Sequence, residues 1–265
     1  MVNVVKNKAV LENISFSDEA VTQLENDYII TFYKKCFTTG GFDAEIITAN
    51  SPHYLKVWLN RTNPEFYICI KPSIIENSYL GMSMEIYRDN ECVDTVSFKS
   101  GSTIGNTGNH FIMGAFISDY GISFNIGLNS TTGGSSGRIE TEEKALGTIS
   151  FFPIILVHDE VPTLIYEITN ANPSTQASSN QSNTYKVFSL NHESYEEIIE
   201  GAHYIGYNYN DQKMLLTQAY SFEHPINTPH LFRVIGKSSN TSLGRIMVNN
   251  KKLYWFGRFA LEFNE

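Results

Sequence analysis

The chain has 265 residues, of which 42% are hydrophobic, and a formal net charge of −9. Charged residues make up 18% of the chain, below the usual level of about 25%, while Asn, Ser and Thr together contribute roughly a quarter. This composition excludes a disordered chain, which would combine low hydrophobicity with high net charge, and it indicates a folded protein with a neutral polar surface. The acidic balance and the sparse Lys and Arg exclude nucleic acid as the expected partner.

A helical pattern begins near Ser17, where we expect the N-cap. Apolar residues follow at steps of three and four, at positions that include Leu24, Tyr28 and Cys36, and Gly40 stands where the helix should end. The β-branched and aromatic residues of the second half also favour a strand. The sequence therefore predicts one N-terminal helix, with a strand as the alternative for its second half.

Short strand-like runs follow the helix, separated by turn residues at intervals of about 8–12 residues. Asp89-Asn90 and Asp119-Tyr120-Gly121 stand where hairpin turns are expected. The pattern predicts a mainly β fold, an antiparallel sandwich or barrel, with α+β as the alternative. The strand candidates in this part of the chain are Glu45–Ala49, Tyr54–Asn60, Phe66–Lys71, Leu80–Arg88, Cys92–Lys99, His110–Ser118, Ile122–Leu128, Gly147–Val157 and Thr163–Thr169.

The tract 170–183 consists almost wholly of Asn, Ser, Thr, Gln, Pro and Ala, which is typical of a linker or a long loop. It divides the chain into a helix-plus-β region, residues 1–169, and a smaller β-rich region, residues 184–265. Beyond it, Glu193–Gly201 predicts a short acidic helix, and Asn249-Asn250 predicts the turn of a closing hairpin. The later strand candidates are Tyr185–Leu190, His203–Tyr209, Met214–Tyr220, Leu231–Ile235, Arg245–Val248 and Leu253–Phe263.

The groups that commonly bind metals or form disulfides do not occur at the spacings that such sites need. Cys36, Cys69 and Cys92 have no CxxC spacing and lie in apolar runs, so we expect buried free thiols. His158 with its two acidic neighbours is the most metal-like cluster, but it lacks the ligand spacing of a zinc or calcium site. We therefore expect no metal and no cofactor.

One catalytic string is present, since Gly133-Gly134-Ser135-Ser136-Gly137 matches the Gly-x-Ser-x-Gly pattern of a nucleophile elbow. It stands within 129–137, a run of small polar residues in which composition alone produces such matches. The strand-rich pattern also offers no parallel sheet for an elbow. A loop is favoured, a serine hydrolase that uses Ser135 is a remote alternative, and we expect no enzymatic activity.

Aromatic residues are the most conspicuous side chains, with 15 Tyr and 17 Phe in the chain. Trp58, Tyr204, Tyr207 and Tyr209 form the candidate set for a sugar-binding surface. The same residue types stabilise sheets through cross-strand pairs and anchor protein interfaces. A role in the core or in a protein interface is therefore favoured over a glycan site.

Three features make the chain resemble the structural proteins of tailed-bacteriophage virions, of the tail, neck or baseplate type. They are the charge-poor body rich in Asn, Ser, Thr and Tyr, polar loops such as 170–183, and the closing hairpin Leu243–Phe263. The resemblance implies a non-enzymatic building block that packs onto other subunits. The aromatic run of the hairpin supplies our candidate interface residues, which are Tyr254, Trp255, Phe256, Arg258 and Phe259.

We therefore expect a virion subunit, made in the host cytoplasm, that forms a homo- or hetero-oligomer with other virion proteins. Its loops and termini are expected to become ordered on assembly. The sequence has no secretory signal and no apolar run long enough to span a bilayer, so no membrane partner is expected. A glycan- or receptor-binding β-sandwich is the alternative function.

Overall fold

In the computed structural model the chain is mainly β, with one α-helix and nineteen strands among the residues that it describes. This confirms the predicted class, a mainly β, sandwich-like fold with an N-terminal helix. The described residues are 3–15, 23–49, 51–60, 62–75, 79–103, 110–124, 129–130, 153–158, 161–167, 184–189, 192–198, 204–209, 212–218, 230–235, 244–248, 250–256 and 259–264.

The elements in chain order are β1 Ala9–Ser15, α1 Gln23–Thr39, β2 Asp43–Ile47, β3 Tyr54–Trp58, β4 Tyr67–Ile75, β5 Tyr79–Arg88, β6 Glu91–Thr103, β7 His110–Ser118, β8 Gly121–Phe124, β9 Asn129–Ser130, β10 Ile154–His158, β11 Val161–Glu167, β12 Thr184–Ser189, β13 His192–Ile198, β14 Tyr204–Tyr209, β15 Gln212–Gln218, β16 Leu231–Ile235, β17 Gly244–Val248, β18 Lys251–Phe256 and β19 Phe259–Glu262.

The strands form three antiparallel sheets. The five-stranded sheet has the order β2-β3-β4-β5-β6, and the six-stranded sheet has the order β14-β15-β16-β19-β18-β17. The eight-stranded sheet has the order β1-β7-β8-β10-β11-β12-β13, with β9 paired to β7. Because β12 pairs with β11, this sheet contains strands from both sides of the tract 170–183, which itself lies outside the described residues.

The main core lies between helix α1, the five-stranded sheet and one side of the eight-stranded sheet. Ile29, Tyr33 and Phe37 recur at steps of four on the buried side of the helix. Phe124 of β8 meets two of them, with ring centroids 6.3 Å from Tyr33 and 4.9 Å from Phe37. Burial of each such side chain contributes roughly 1.5–3 kcal/mol, so the helix is held mainly by this apolar side. The predicted apolar side was wrong at Leu24, which is 81% exposed.

Strands β7 and β8, in the middle of the eight-stranded sheet, are buried on both sides where their burial is described. All four residues of β8 are buried, and in β7 the buried residues run without alternation from Met113 to Ser118. Phe116 of β7 stacks on Tyr254 of the six-stranded sheet, with centroids 4.0 Å apart and an interplanar angle of 12°. Continuous burial of this kind requires a cover on each face, so this sheet is the middle layer.

Three predicted hairpins are confirmed, the last of them by the pairing of Val248 with Lys251. Asp89 and Asn90 have φ angles of 52° and 61°, and the pairing of Arg88 with Glu91 closes a two-residue turn; positive φ at both central residues is the type I′ geometry that suits twisted strands. The second turn closes with the pairing of Ser118 and Gly121.

The predicted acidic helix at Glu193–Gly201 is wrong, because the described part of it belongs to strand β13. Lys186 of β12 stands opposite Glu196, and Val187 stands opposite Tyr195. Pairing of this kind overrides a helix propensity that is only a weak local preference.

Two smaller expectations also need correction. Cys36 and Cys69 are buried, but Cys92 is exposed, because it follows the hairpin turn on the edge strand β6. The run Leu253–Phe263 is not one strand but the two strands β18 and β19, which pair with each other. The closing hairpin is therefore part of a three-stranded antiparallel unit, β17-β18-β19.

Candidate functional site

The outer side of the five-stranded sheet carries a group of aromatic and charged side chains. Alternation along β3 sends Leu55 and Val57 into the core, where both are fully buried, and leaves Tyr54, Lys56 and Trp58 on the other side. We call the following set the aromatic face: Tyr54, Lys56, Trp58, Tyr67, Lys71, Glu85 and Tyr87.

The register of three strands places three of the four aromatic residues in one row. Trp58 stands opposite Tyr67, and Tyr67 stands opposite Tyr87. The two tyrosine rings stack with centroids 4.7 Å apart and an interplanar angle of 12°. On the other side of Tyr67, the Lys56 Nζ lies 3.6 Å from the ring centroid, and it also lies 4.9 Å from the Trp58 ring. The result is a column in the order Tyr87 ring, Tyr67 ring, Lys56 ammonium and Trp58 ring. Within it, Tyr67 is only 8% exposed.

The rest of the aromatic face is a hydrogen-bonded ion pair. Lys71 Nζ lies 2.6 Å from Glu85 Oε2, and the Tyr87 hydroxyl donates to the same oxygen at 2.8 Å. Lys71 also lies 5.2 Å from the centroid of the Tyr54 ring. Burial and then the hydrogen bond to Glu85 raise the pKa of Tyr87 well above its ordinary value.

Burial also raises the pKa of two other groups near this face. The pKa of Tyr67 is raised mainly by desolvation, and desolvation raises the pKa of the Cys69 thiol to about 11. Both groups therefore stay neutral at physiological pH. The charged residues of the aromatic face are Lys56, Lys71 and Glu85, and the exposed Asp43 and Glu45 of β2 stand beside it, opposite Trp58 and Lys56.

The sequence-predicted glycan candidates lie in two different sheets. Trp58 belongs to the aromatic face and is half-buried outside the core. Tyr204, Tyr207 and Tyr209 belong to β14, the edge strand of the six-stranded sheet. The strand ladders therefore do not join them into one surface.

The sequence-predicted interface candidates lie on the last two strands. Tyr254 is 3% exposed, and its ring is covered within the chain by Phe116. Trp255 stands opposite Ala260, and Phe256 stands opposite Phe259. Arg258 lies outside the described residues, as does Ser135 with the whole Gly-x-Ser-x-Gly string.

A second polar cluster joins the middle sheet to the six-stranded sheet. The rings of Tyr120 and His230 stack with centroids 3.6 Å apart and an interplanar angle of 11°. Glu262 Oε2 lies 3.0 Å from the His230 Nδ1 and 2.7 Å from the Lys251 Nζ. Because these side chains come from two sheets and satisfy one another, the cluster serves to hold the two sheets together.

A third polar group fixes the loop before β3 to helix α1. His53 Nδ1 lies 2.8 Å from Asp27 Oδ1. The Gln23 amide donates to the same oxygen at 2.8 Å, and the His53 carbonyl accepts from Asn26 at 3.0 Å.

His158, the sequence-predicted metal candidate, ends strand β10. Within the described parts of the chain, no group of three or more His, Cys, Asp or Glu side chains could hold a metal ion.

Sequence reasoning identified Trp58 but missed Lys56, Tyr67 and Tyr87. The alternation of Tyr54, Lys56 and Trp58 in β3 indicates a polar side of a strand. Their partners depend on the register of β4 and β5, which the pattern of one strand does not contain. One feature of the sequence could have predicted these contacts. Consecutive strands joined by short turns pair with each other, so aromatic residues at matching positions come together.

Comparison of the chain with protein-family models, with curated proteins and with solved structures gives no match. The described residues contain no helix with the length and apolar character needed to cross a membrane.

Proposed function

We propose that the chain is a non-enzymatic structural subunit of a phage virion, from the tail, neck or baseplate, that acts through contacts with other subunits. The aromatic face is the observation that carries this proposal. Trp and Tyr are enriched in protein interfaces and among the hot spots near their centres. The charge-poor composition rich in Asn, Ser and Thr, and the resemblance drawn from it, support the same function.

The geometry of the column favours a protein partner over a sugar. Both faces of the Tyr67 ring are covered within the chain, one by Tyr87 and the other by Lys56. A saccharide packs on the open face of an aromatic ring, and Tyr67 has none to offer. Ring edges, hydroxyls and an ion pair are the groups that remain, and they suit a polar and aromatic protein surface.

The described terminal segments form bonds within the chain. The Asn7 amide donates to the Ile117 carbonyl at 2.6 Å, and its side chain donates to the Asn264 carbonyl. Arg245 donates to the Asn7 carbonyl at 2.8 Å. These bonds attach the described terminal segments to the rest of the chain, and we propose the aromatic face as the contact surface.

The proposal is tested on purified particles of the phage that encodes the chain. Mass spectrometry is expected to find the chain in these particles at a fixed ratio to the other virion proteins. A nonsense mutant complemented with a Trp58→Ser and Tyr87→Ser double variant should give particles that lack the chain. Complementation with Leu24→Ser, an exposed residue outside the aromatic face, is the matched control and should restore it. Absence of the wild-type chain from purified infectious particles would show that the proposal is wrong.

A glycan-binding module is the second candidate, and the position of Trp58 outside the core favours it. The chain is tested against immobilised glycans together with a Trp58→Ala variant. Saturable binding that Trp58→Ala abolishes would select this function over subunit contact. A lack of binding by the wild-type chain would remove it.

A further inference from the structure

The six-stranded sheet is a separate unit of the chain. Strands β14–β19 form it, and they follow one another from Tyr204 to Glu262. The described strands of the other two sheets all end by Ile198. Because the strand pairings of the six-stranded sheet lie within it, the sheet can move away from the middle sheet without loss of a described pairing. The contacts between the two sheets therefore decide whether it moves.

The described contacts between these sheets are concentrated at one end of the middle sheet. Phe116, near the end of β7, stacks on Tyr254 of β18. Tyr120 belongs to the turn after β7, and its ring stacks on His230 just before β16. The Tyr120 hydroxyl also donates to Asn264 Oδ1 at 3.2 Å. We call this set of contacts the joint.

Asn7, which precedes β1, fastens the six-stranded sheet at the same end. On the side of the middle sheet, its backbone N–H donates to the Ile117 carbonyl at 2.6 Å, and its Nδ2 donates to Asp119 Oδ2 at 3.4 Å. On the other side, Nδ2 donates to the Asn264 carbonyl, and the Asn7 carbonyl accepts from Arg245 at 2.8 Å. We call Asn7, Arg245 and Asn264 the clasp, because the first is held by the middle sheet and bonds to the other two.

The closed clasp carries an energetic cost. Asn7 Oδ1 is buried without a hydrogen-bond partner among the described residues, so it has lost its hydration without compensation. Separation of the six-stranded sheet would return water to this oxygen. The bond to Ile117 and the burial of Val4 in the main core would keep the N-terminal segment in place. The cost offsets part of the gain from the two bonds across the clasp, which lowers the free energy needed to open it.

The main core is independent of this joint. Its described buried residues run from Val4 to Leu164, and they surround helix α1. The six-stranded sheet lies wholly after them in the chain. Proteins open locally in cooperative units whose opening free energy is lower than that of global unfolding. The sheet and the core therefore meet the conditions for two such units.

We propose that the six-stranded sheet transiently opens from the middle sheet as one unit, with the clasp as its fastening, while the core around helix α1 stays folded. This inference goes beyond the proposed function, because it concerns a motion within the chain. Opening would separate Phe116 from Tyr254 and Asn7 from Asn264. The ladders inside each sheet would persist.

The test measures thiol reactivity in the native full chain. Leu261 stands opposite Tyr254 and is fully buried, so it lies on the side of the sheet that faces the middle sheet. Leu261→Cys, in a chain that also carries Cys92→Ser, reports opening of the joint. The buried Cys36 of helix α1 reports opening of the main core. Peptide mass spectrometry follows each thiol, and each rate is divided by that of the same thiol in the urea-unfolded chain.

We expect the thiol at position 261 to react faster than Cys36. Asn7→Gly removes both side-chain bonds of the clasp residue and tolerates its φ angle of 60°. It should raise the rate at position 261 at least about tenfold, as expected for the loss of one or two hydrogen bonds, and should leave the rate at Cys36 unchanged. Asn90→Gly is the matched control, because Asn90 also has a positive φ, 61°, but lies in the five-stranded sheet. It should change neither rate.

Equal rates at position 261 and at Cys36 would overturn the inference, because the joint would then open only when the core opens. A rise of both rates together in Asn7→Gly would overturn it for the same reason. Circular dichroism establishes that each variant is folded before it is labelled. Phe263→Cys, at a residue that is 3% exposed and contacts Phe116 edge-to-face, is the second reporter and replaces Leu261→Cys if that variant does not fold.

Discussion

Substitution of Gly121 by Ala tests the close approach of strands β8 and β10. A Cβ at this position would lie 2.2 Å from the Ile155 carbonyl oxygen and 3.0 Å from the Leu156 Cα, where ordinary contacts begin at 3.4 Å. Both neighbours are backbone atoms of a paired strand, so neither can turn aside as a side chain would. The φ angle of 155° is also one that residues with a Cβ rarely adopt.

The expected loss of stability follows from what must move. Separating β8 from β10 weakens the ladder at Ile154, Ile155 and Leu156, and a ladder hydrogen bond contributes about 1 kcal/mol. Backbone strain adds about 1–3 kcal/mol. With one to three ladder bonds weakened, we therefore expect Gly121→Ala to lower the free energy of unfolding by about 2–6 kcal/mol, which is large beside a typical total of about 5–15 kcal/mol.

Urea unfolding followed by tryptophan fluorescence and circular dichroism measures this loss, and two other glycines separate its causes. Gly41 has a φ angle of 90° with no atom within 4 Å of an added Cβ, so Gly41→Ala should lose only about 1–2 kcal/mol of backbone strain. At Gly40 a Cβ would meet the Phe37 carbonyl at 3.3 Å without a left-handed φ, so Gly40→Ala should change stability least. If Gly121→Ala is no more destabilising than Gly41→Ala, the argument from the 2.2 Å contact is refuted.

Three further predictions concern thiols, alkaline pH and the packing between sheets. At about pH 8 a thiol reagent should rapidly modify one thiol per native chain, the exposed Cys92. Burial raises the pKa of the Cys36 thiol to about 12 and keeps the reagent away from it. Rapid reaction of a second thiol would contradict this prediction. The raised pKa of Tyr87 means that its contribution to stability is complete below pH 10 and is lost as the pH rises through its folded pKa. Urea titrations should therefore show a smaller alkaline loss for Tyr87→Phe, and parallel curves would disprove it. Phe116→Ala should lower the free energy of unfolding by about 3–5 kcal/mol. A double-mutant cycle with Tyr254→Ala should give a coupling energy of about 1 kcal/mol. Additive losses would mean that the two rings do not interact.

Features set by local chemistry were predictable from the sequence. Asp89 and Asn90 are residue types that tolerate positive φ, and the strands on either side fix a two-residue turn between them. The helix was predicted because its apolar residues recur at steps of three and four residues. Even there the buried side was misjudged, since Leu24 is exposed while Ile29 and Phe37 face the core. The choice of side depends on the sheets that cover the helix.

Features set by partners distant in the sequence were not predictable. The glutamates of β13 suit a helix surface equally well, and only the strand β12 beside them selects an extended conformation. Trp58 was identified as a candidate because it is a tryptophan in a strand. Its relation to Tyr87, on the strand after next, depends on a register shared by three strands.

Residues 113–118 of strand β7 are all buried, and this constrains how the protein can be divided. Ala115 and Ile117 belong to the core around helix α1, while Phe116 between them packs on Tyr254. A fragment that ends before β14 would leave the Phe116 side of the middle sheet in water. Exposed apolar surface of this kind promotes aggregation, so we expect the N-terminal residues to be obtained in folded form only when the six-stranded sheet is produced with them.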